Sequence, residues 1–252
     1  MFVLHDNAGT NRNNNMGIIK TKGIVLAQNN MGDNDKMVTI LTPDLGKIGC
    51  AAKGARRSKS ALMAGTQFLC FANFIIYKGA NSYNINSCEP IEIFYNIRLD
   101  LDKLEYASRV TKIVRDVTKE NESSYNVLQL VLNTIYMISE SDKDLDFILS
   151  IFKIRLLSII GFRPIVEHCA NCDQKDNLKF FSFKDNGLKC EICGRQDKGA
   201  VEISDATEKA LKFIVWAEPK KIFSFDMSED NQTQLNLISK IYMNNCLEKE
   251  YE

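Results

Sequence analysis

From Gly17 to Phe94, apolar and polar residues alternate over short stretches, and this period of two predicts strands. Ile18–Gln28 reads as a first strand, followed by a polar turn over Asn29–Asp35. Met37–Leu41 is a second strand, ended by Pro43-Asp44-Leu45-Gly46, and Lys47–Ala52 is a third. Gln67–Tyr77, rich in aromatic and β-branched residues, is a long fourth, and Asn81–Phe94 is a fifth with an irregularity at Glu89-Pro90. Five short strands in this span fit a small closed barrel, of which the OB-fold is the commonest five-stranded form. Periodicity alone does not separate it from an SH3-like barrel.

After Tyr95 the period lengthens. Leu101, Leu104, Ala107, Val110, Val114 and Val117 recur at helical spacing. Ser123 or Ser124 suits an N-cap for a strongly apolar helix over Val127–Ile138. Asp144–Ile160 is a third helix, with Gly161 placed to end it and Pro164 just beyond. Two further helices are expected, one from Ser204 to Ala217 and one beginning at Ser228, where Glu229 and Asp230 favour the helix dipole.

Between these helices stand Cys169-Ala-Asn-Cys172 and Cys190-Glu-Ile-Cys193, two C-x2-C pairs separated by seventeen residues. That spacing fits a four-thiolate zinc site. Two intervening residues let both sulfurs of a tight knuckle reach one metal, and the loop brings the second knuckle opposite. Phe180–Phe183 followed by Asp185-Asn186-Gly187 reads as a hairpin between the knuckles, and Gly194 as the residue that permits the second turn. Two disulfides would need oxidising conditions, and a redox C-x2-C usually comes singly. His168 is a further candidate ligand, but four cysteines already fill the shell. A closed four-sulfur shell leaves no open position, so one structural Zn2+ is expected. Cys50, Cys70, Cys88 and Cys246 read as buried small apolar residues.

Composition narrows the picture. Of 252 residues, 45% are hydrophobic and 25% charged, so a folded core is expected and general disorder is excluded. No apolar run approaches the ~18–20 residues of a membrane span. Lys plus Arg equals Asp plus Glu at 32 each, which argues against a globally basic nucleic-acid binder. The first fifteen residues are asparagine-rich, with only Phe2-Val3-Leu4 apolar, and lack the form of a secretory signal. They read as a disordered tail, or Met16 as the natural start. A cytoplasmic location follows, where eight cysteines stay reduced. The predicted organisation is α+β and multidomain. Residues 1–16 are a tail or misassigned start, 17–95 an OB-fold barrel and 96–165 a helical body. Residues 166–198 are an inserted four-cysteine zinc module, and 199–252 are C-terminal helices packing on the helical body.

The balanced total hides a local excess. Gly17–Ala80 holds nine Lys or Arg against three Asp. Lys47, Lys53, Arg56, Arg57 and Lys59 fall within nineteen residues that contain no acid. A flexible Gly-Ala-Arg-Arg-Ser-Lys-Ser loop on a cationic barrel suits phosphate contact, since Arg presents a fork of donors matched to phosphate. Phe68, Phe71, Phe74 and Tyr77 are candidates for a base-stacking platform, with core positions the more frequent use of such residues. A P-loop is excluded because Ser58 stands where the motif requires glycine before the lysine. A zinc deaminase is excluded because His-x-Glu and Pro-Cys-x-x-Cys are both missing. Asp33, Asp35 and Asp44 read as turn residues rather than a nuclease cluster.

Three stretches resemble the bacterial recombination mediator family RecO. They are Gly32–Thr42, Gly46-Lys47-Ile48 leading into Ala52–Ser60, and Phe152–Pro164 followed by Cys169 and Cys172. The resemblance implies an N-terminal OB-fold, a helical body and a zinc module, and a non-enzymatic DNA repair and recombination role. It implies binding of single- and double-stranded DNA, annealing of complementary strands, and action with RecR. It further implies engagement of the acidic tail of single-stranded-DNA-binding protein and help in loading RecA, in the cytoplasm and on the nucleoid during repair. Phosphate contact is carried over to Lys53, Arg56, Arg57 and Lys59. The tail site is expected in the helical body near Arg155 and Arg163. The competing reading is a zinc-containing protein-interaction adaptor that does not bind DNA directly.

Overall fold

A computed structural model describes residues 17–80 and 82–251; the asparagine-rich N-terminal segment, Met16 and Asn81 lie outside them. Five strands open the chain: β1 (Gly17–Met31), β2 (Asp35–Thr42), β3 (Gly46–Ala52), β4 (Phe71–Lys78) and β5 (Tyr83–Glu92). They close into a barrel in the order β1-β2-β3-β5-β4. β1 serves two neighbours, because Gly17–Ile24 pairs with β4 and Ile24–Met31 with β2. Closure comes from a parallel pairing of β3 with β5 through Cys50↔Tyr83 and Ala51↔Asn84. This is the OB-like arrangement, and it decides between the two small barrels that periodicity left open.

Alternation works as expected inside. Val25, Val38, Ile40, Ile48, Phe74 and Ile76 point inward and are fully buried. Of the four aromatics considered for stacking, Phe71 and Phe74 are buried, Phe68 is half-buried and Tyr77 is exposed. One row outside the barrel is also buried, formed by Leu41, Ile24 and Phe71 across β2, β1 and β4. α1 (Leu101–Val117) packs against β1.

The fourth strand begins later than its composition implies. Leu69 takes a left-handed φ of 64°. Its N–H donates to Val25 O at 2.9 Å, and Val25 N–H donates to Cys70 O at 3.0 Å. Gln67–Cys70 is therefore a turn tied to a bulge in β1, where the register shifts between Val25 and Ala27. The irregularity expected near Glu89-Pro90 is a register shift that sets Phe71 opposite Glu92 but Ala72 opposite Pro90.

The β2–β3 turn is joined to the connection between α1 and α2 (Tyr125–Glu140). Lys47 N–H donates to Lys119 O (3.1 Å), Asn121 N–H to Leu45 O (2.8 Å) and Ser124 N–H to Pro43 O (2.8 Å). Gly46 sits in this contact with φ +68°, and a Cβ there would lie 2.0 Å from Lys119 O and 2.6 Å from Glu122 O. Only glycine satisfies both the dihedral and the close approach.

The chain separates into two compact units at Ser139/Glu140. In the second, α3 (Leu145–Ile159) is capped by Asp144, whose carboxylate accepts from Phe147 N–H at 2.8 Å. α3 is apolar on nearly all sides and correspondingly buried from Phe147 to Ser158, apart from a half-buried Arg155. Gly161, at φ +104°, ends its run. The chain continues through β6 (Leu178–Ser182), β7 (Gly187–Cys190), α4 (Glu191–Gln196) and β8 (Val201–Glu202). It finishes with α5 (Asp205–Trp216) and α6 (Glu229–Leu247), both packed on α3. The three short strands form a sheet in the order β7-β6-β8. Edge-to-face contacts of Phe147 and Phe213 with Phe225, and of Phe181 with Tyr242, fill the space between these elements. Among the described residues, no helix is long and apolar enough to cross a membrane.

Candidate metal centre and nucleic-acid interface

The first C-x2-C is a tight loop before β6, and the second begins at the last residue of β7 and runs into α4. The β6–β7 hairpin brings the two together. The Sγ atoms of Cys169, Cys172, Cys190 and Cys193 all lie within 4.8 Å of one another, and Cys172 and Cys190 are 3.7 Å apart. A tetrahedron with ~2.3 Å Zn–S bonds has S···S edges of ~3.8 Å, so the four sulfurs fit one ion. The donors around them fit thiolates. Asn171 Nδ2 donates to Cys193 Sγ at 3.3 Å. Burial opposes charge on Cys169, but backbone N–H groups of Cys190, Asn171 and Cys172 outweigh it and bring the thiol down to about 6. The Gln174 N–H favours a Cys172 thiolate, yet the crowding sulfurs push that group up to about 12. Uncompensated negative charge among the four sulfurs is what a divalent cation would relieve. His168 is not part of the cluster; its Nδ1 faces Cys169 O and Asp173 Oδ1, each at 3.2 Å.

Local chemistry holds the cage. Asp173, at φ 59°, turns the first loop so that its N–H reaches Cys169 O at 3.0 Å. Gly194 serves a different purpose from the one its position implied. It lies within α4, and a Cβ there would fall 2.2 Å from Phe180 Cδ2, so the glycine admits the Phe180 ring. A partly buried ion network spans the hairpin. Lys189, 5% exposed, pairs with Asp185 and with Asp197 (2.8 Å), and Asp197 also accepts from Ser182 Oγ at 2.6 Å. Lys189 and these donors hold the Asp197 carboxyl well below the usual range.

The basic loop after β3 is anchored, not free. Ala55 is fully buried in the barrel core. Gly54 N–H donates to Asp35 Oδ1 (2.7 Å), Arg56 N–H to Asn34 O (2.9 Å) and Arg56 Nη1 to Gly32 O (2.8 Å). The loop therefore folds over the β1–β2 turn, and Lys53, Arg56, Arg57 and Lys59 all stay exposed. Among the described residues, none of these four forms an ion pair. Lys47 is not gathered with them. It lies on β3, and its amine is bound to Arg115 O near the end of α1.

Sequence reasoning missed one neighbour. Lys36 stands opposite Ala52 on β2, and burial together with the Arg56 charge holds its amine below the usual lysine range. The signal was available, because the tight Pro43–Leu45 turn fixes the β2–β3 register. The same register sets Met37 against Ala51 and Thr39 against Gly49 on the outer face, a low ledge beside the cations. Strands 2 and 3 are the usual ligand face of an OB barrel.

In the second unit the two arginines singled out differ in use. Arg155 donates to the last carbonyls of α5, Ile214 O, Val215 O and Ala217 O. Arg163 lies over the ring of Trp216 at 4.5 Å, and Trp216 is 55% exposed; Phe162, next to Arg163 in the chain, is exposed as well.

Residues 16–94 match the family model described as Recombination protein O N terminal, and residues 98–251 match that described as Recombination protein O C terminal. The chain belongs to the RecO family. Relatives named DNA repair protein RecO include one from Acetivibrio thermocellus, 44% identical over 94% of each chain. Another, from Alkaliphilus metalliredigens, is 34% identical over 90% of this chain and 92% of its own. A third, from Bacillus subtilis, is 28% identical over 89% and 88%. The barrel and its cationic loop fall in the N-terminal RecO region, and all four cysteines fall in the C-terminal one. RecO membership carries a role in DNA repair and recombination.

Proposed function

We propose that this chain is a non-enzymatic mediator of DNA repair and recombination that binds single- and double-stranded DNA and anneals complementary strands. With RecR it helps load RecA onto DNA coated by single-stranded-DNA-binding protein. The observation that carries this reading is the anchored loop, whose four exposed cations form no ion pair among the described residues and lie beside the β2–β3 ledge. An anchored backbone keeps Arg and Lys close together, so they neutralise phosphates without the loop first having to order, and bases remain free to pair. Two strands that share such an array repel each other less. Lys47, held by the end of α1, orients the β3 edge and is a weaker candidate for phosphate contact.

One Zn2+ in the four-thiolate site would serve folding, since a closed sulfur shell supplies no open coordination position. Bound by Cys169, Cys172, Cys190 and Cys193, it would tie the hairpin to α4. The acidic tail of single-stranded-DNA-binding protein is assigned to Arg163 and Trp216, which offer a charge and an exposed ring together. Arg155, spent on α5 carbonyls, supports that region from beneath. The same exposed aromatics are the feature that favours the adaptor reading.

The test is annealing of complementary oligonucleotides coated with single-stranded-DNA-binding protein, with wild type and the Arg56→Ala, Arg57→Ala double variant. Acceleration by wild type alone supports the loop as the DNA site. Equal acceleration by both moves the site elsewhere. No acceleration by either, with single-stranded-DNA-binding protein still bound, favours the adaptor.

A further inference from the structure

The outward residues of β1 change character half-way along the strand. Ile24 belongs to the buried row described above. Ile18 is 67% exposed and stands directly opposite Tyr77, itself 42% exposed. Lys20 follows, exposed and opposite Ile75, and then Lys22 opposite Asn73. The barrel interior behind this face is already filled by Phe74 and Ile76, with Ile19 packed against them. An exposed Ile–Tyr pair therefore adds nothing to the barrel core. Among the described residues, neither lysine forms an ion pair.

We infer that the outer face of β1 and β4 is a second contact for single-stranded nucleic acid, with Tyr77 as a base platform flanked by Ile18 and with Lys20 and Lys22 on phosphates. This rests on the DNA-binding reading above. The chemistry selects a polyanion with flat apolar groups: stacking accepts any base, and lysines at alternate positions on one strand follow a backbone. The face is distinct from the loop site. The loop packs on the turn after the C-terminal half of β1, whereas this face uses the N-terminal half and the other neighbouring strand. One barrel then holds two strands at once, which is what annealing requires.

The experiment uses the full chain and an oligothymidylate carrying 5-bromodeoxyuridine, photo-crosslinked and mapped by peptide. Cross-linking at Tyr77 is expected in wild type, and it persists in the Arg56→Ala, Arg57→Ala variant. The Lys20→Ala, Lys22→Ala, Tyr77→Ala variant is expected to bind the oligonucleotide about tenfold more weakly. Its log–log salt slope falls by about 1.4, the value for two lost phosphate contacts on a single strand. The wild-type cross-link map does not depend on how that variant folds. Cross-links confined to the loop, with the triple variant binding as wild type, overturn the inference and leave the mediator reading standing. Unchanged DNA binding with lost binding to a protein partner overturns it too, and makes the face a protein dock. Absence of DNA binding by wild type removes both readings together.

Discussion

Two glycines with nearly the same dihedral separate backbone strain from packing. Gly32 (φ +57°) and Gly46 (φ +68°) both occupy the left-handed region. Around Gly32 a Cβ would meet nothing within 4 Å, whereas at Gly46 it would press on two carbonyl oxygens of the α1–α2 connection. Gly32→Ala should cost the left-handed penalty alone, ~1–2 kcal/mol. Gly46→Ala adds displacement of the connection. That breaks the Lys47 N–H to Lys119 O and Asn121 N–H to Leu45 O bonds, each worth ~1 kcal/mol net. The expected total is about 3–4 kcal/mol. With a urea m-value of ~2 kcal/mol per M, the midpoint falls by about 1.5–2 M for Gly46→Ala and by about 0.5–1 M for Gly32→Ala. Urea unfolding followed by far-ultraviolet circular dichroism measures both. Equal shifts would refute the claim that the turn is locked by close approach.

Cys190→Ser should lower bound zinc below one per chain and expose the hairpin amides to exchange while the barrel amides stay protected; metal analysis and hydrogen exchange read the two parts separately. Gly194→Ala should force Phe180 aside, cost ~1–3 kcal/mol and speed zinc release to a chelator, followed with a colorimetric indicator. Asp197 has a depressed folded pKa, so its stabilisation is complete above the unfolded value of ~4 and is lost as pH falls through the folded one. Asp197→Asn should therefore destabilise at pH 7, with the gap to wild type closing well below pH 4 in urea titrations. Arg163→Ala and Trp216→Ala should each weaken binding of an acidic peptide about fivefold or more by fluorescence anisotropy, while leaving the DNA salt slope unchanged.

What could be read from the sequence follows the range of the forces involved. β2 and β3 were legible because their alternation and the Pro43–Leu45 turn are local. The metal cage was legible because thiolate chemistry fixes ligand spacing. The start of β4 was not, since Leu69 leaves the strand to bond Val25, forty-four residues earlier in the chain. Gly194 was assigned to a turn because sequence does not reveal that the Phe180 ring lies against it. Lys47 looked like one more loop cation, and only the docking of α1 shows its amine occupied. The loop read as flexible because its anchors leave no local pattern: Ala55 enters the barrel core, and Asp35 and Gly32 accept from Gly54 and Arg56 about twenty residues further on.

The double service of β1 has a kinetic consequence. Its N-terminal half waits for β4, with Gly17 meeting Lys78. The β3 edge waits longer, for Tyr83 and Asn84. On a growing chain, β1, β2 and β3 can assemble as a meander while both outer edges stay unpaired until β4 and β5 are made. Such edges are templates for pairing with another chain. Loop-closure entropy further slows a barrel sealed by distant strands. Synthesis speed across residues 53–92, more than final stability, should then govern how much of this protein reaches its native state without aggregating.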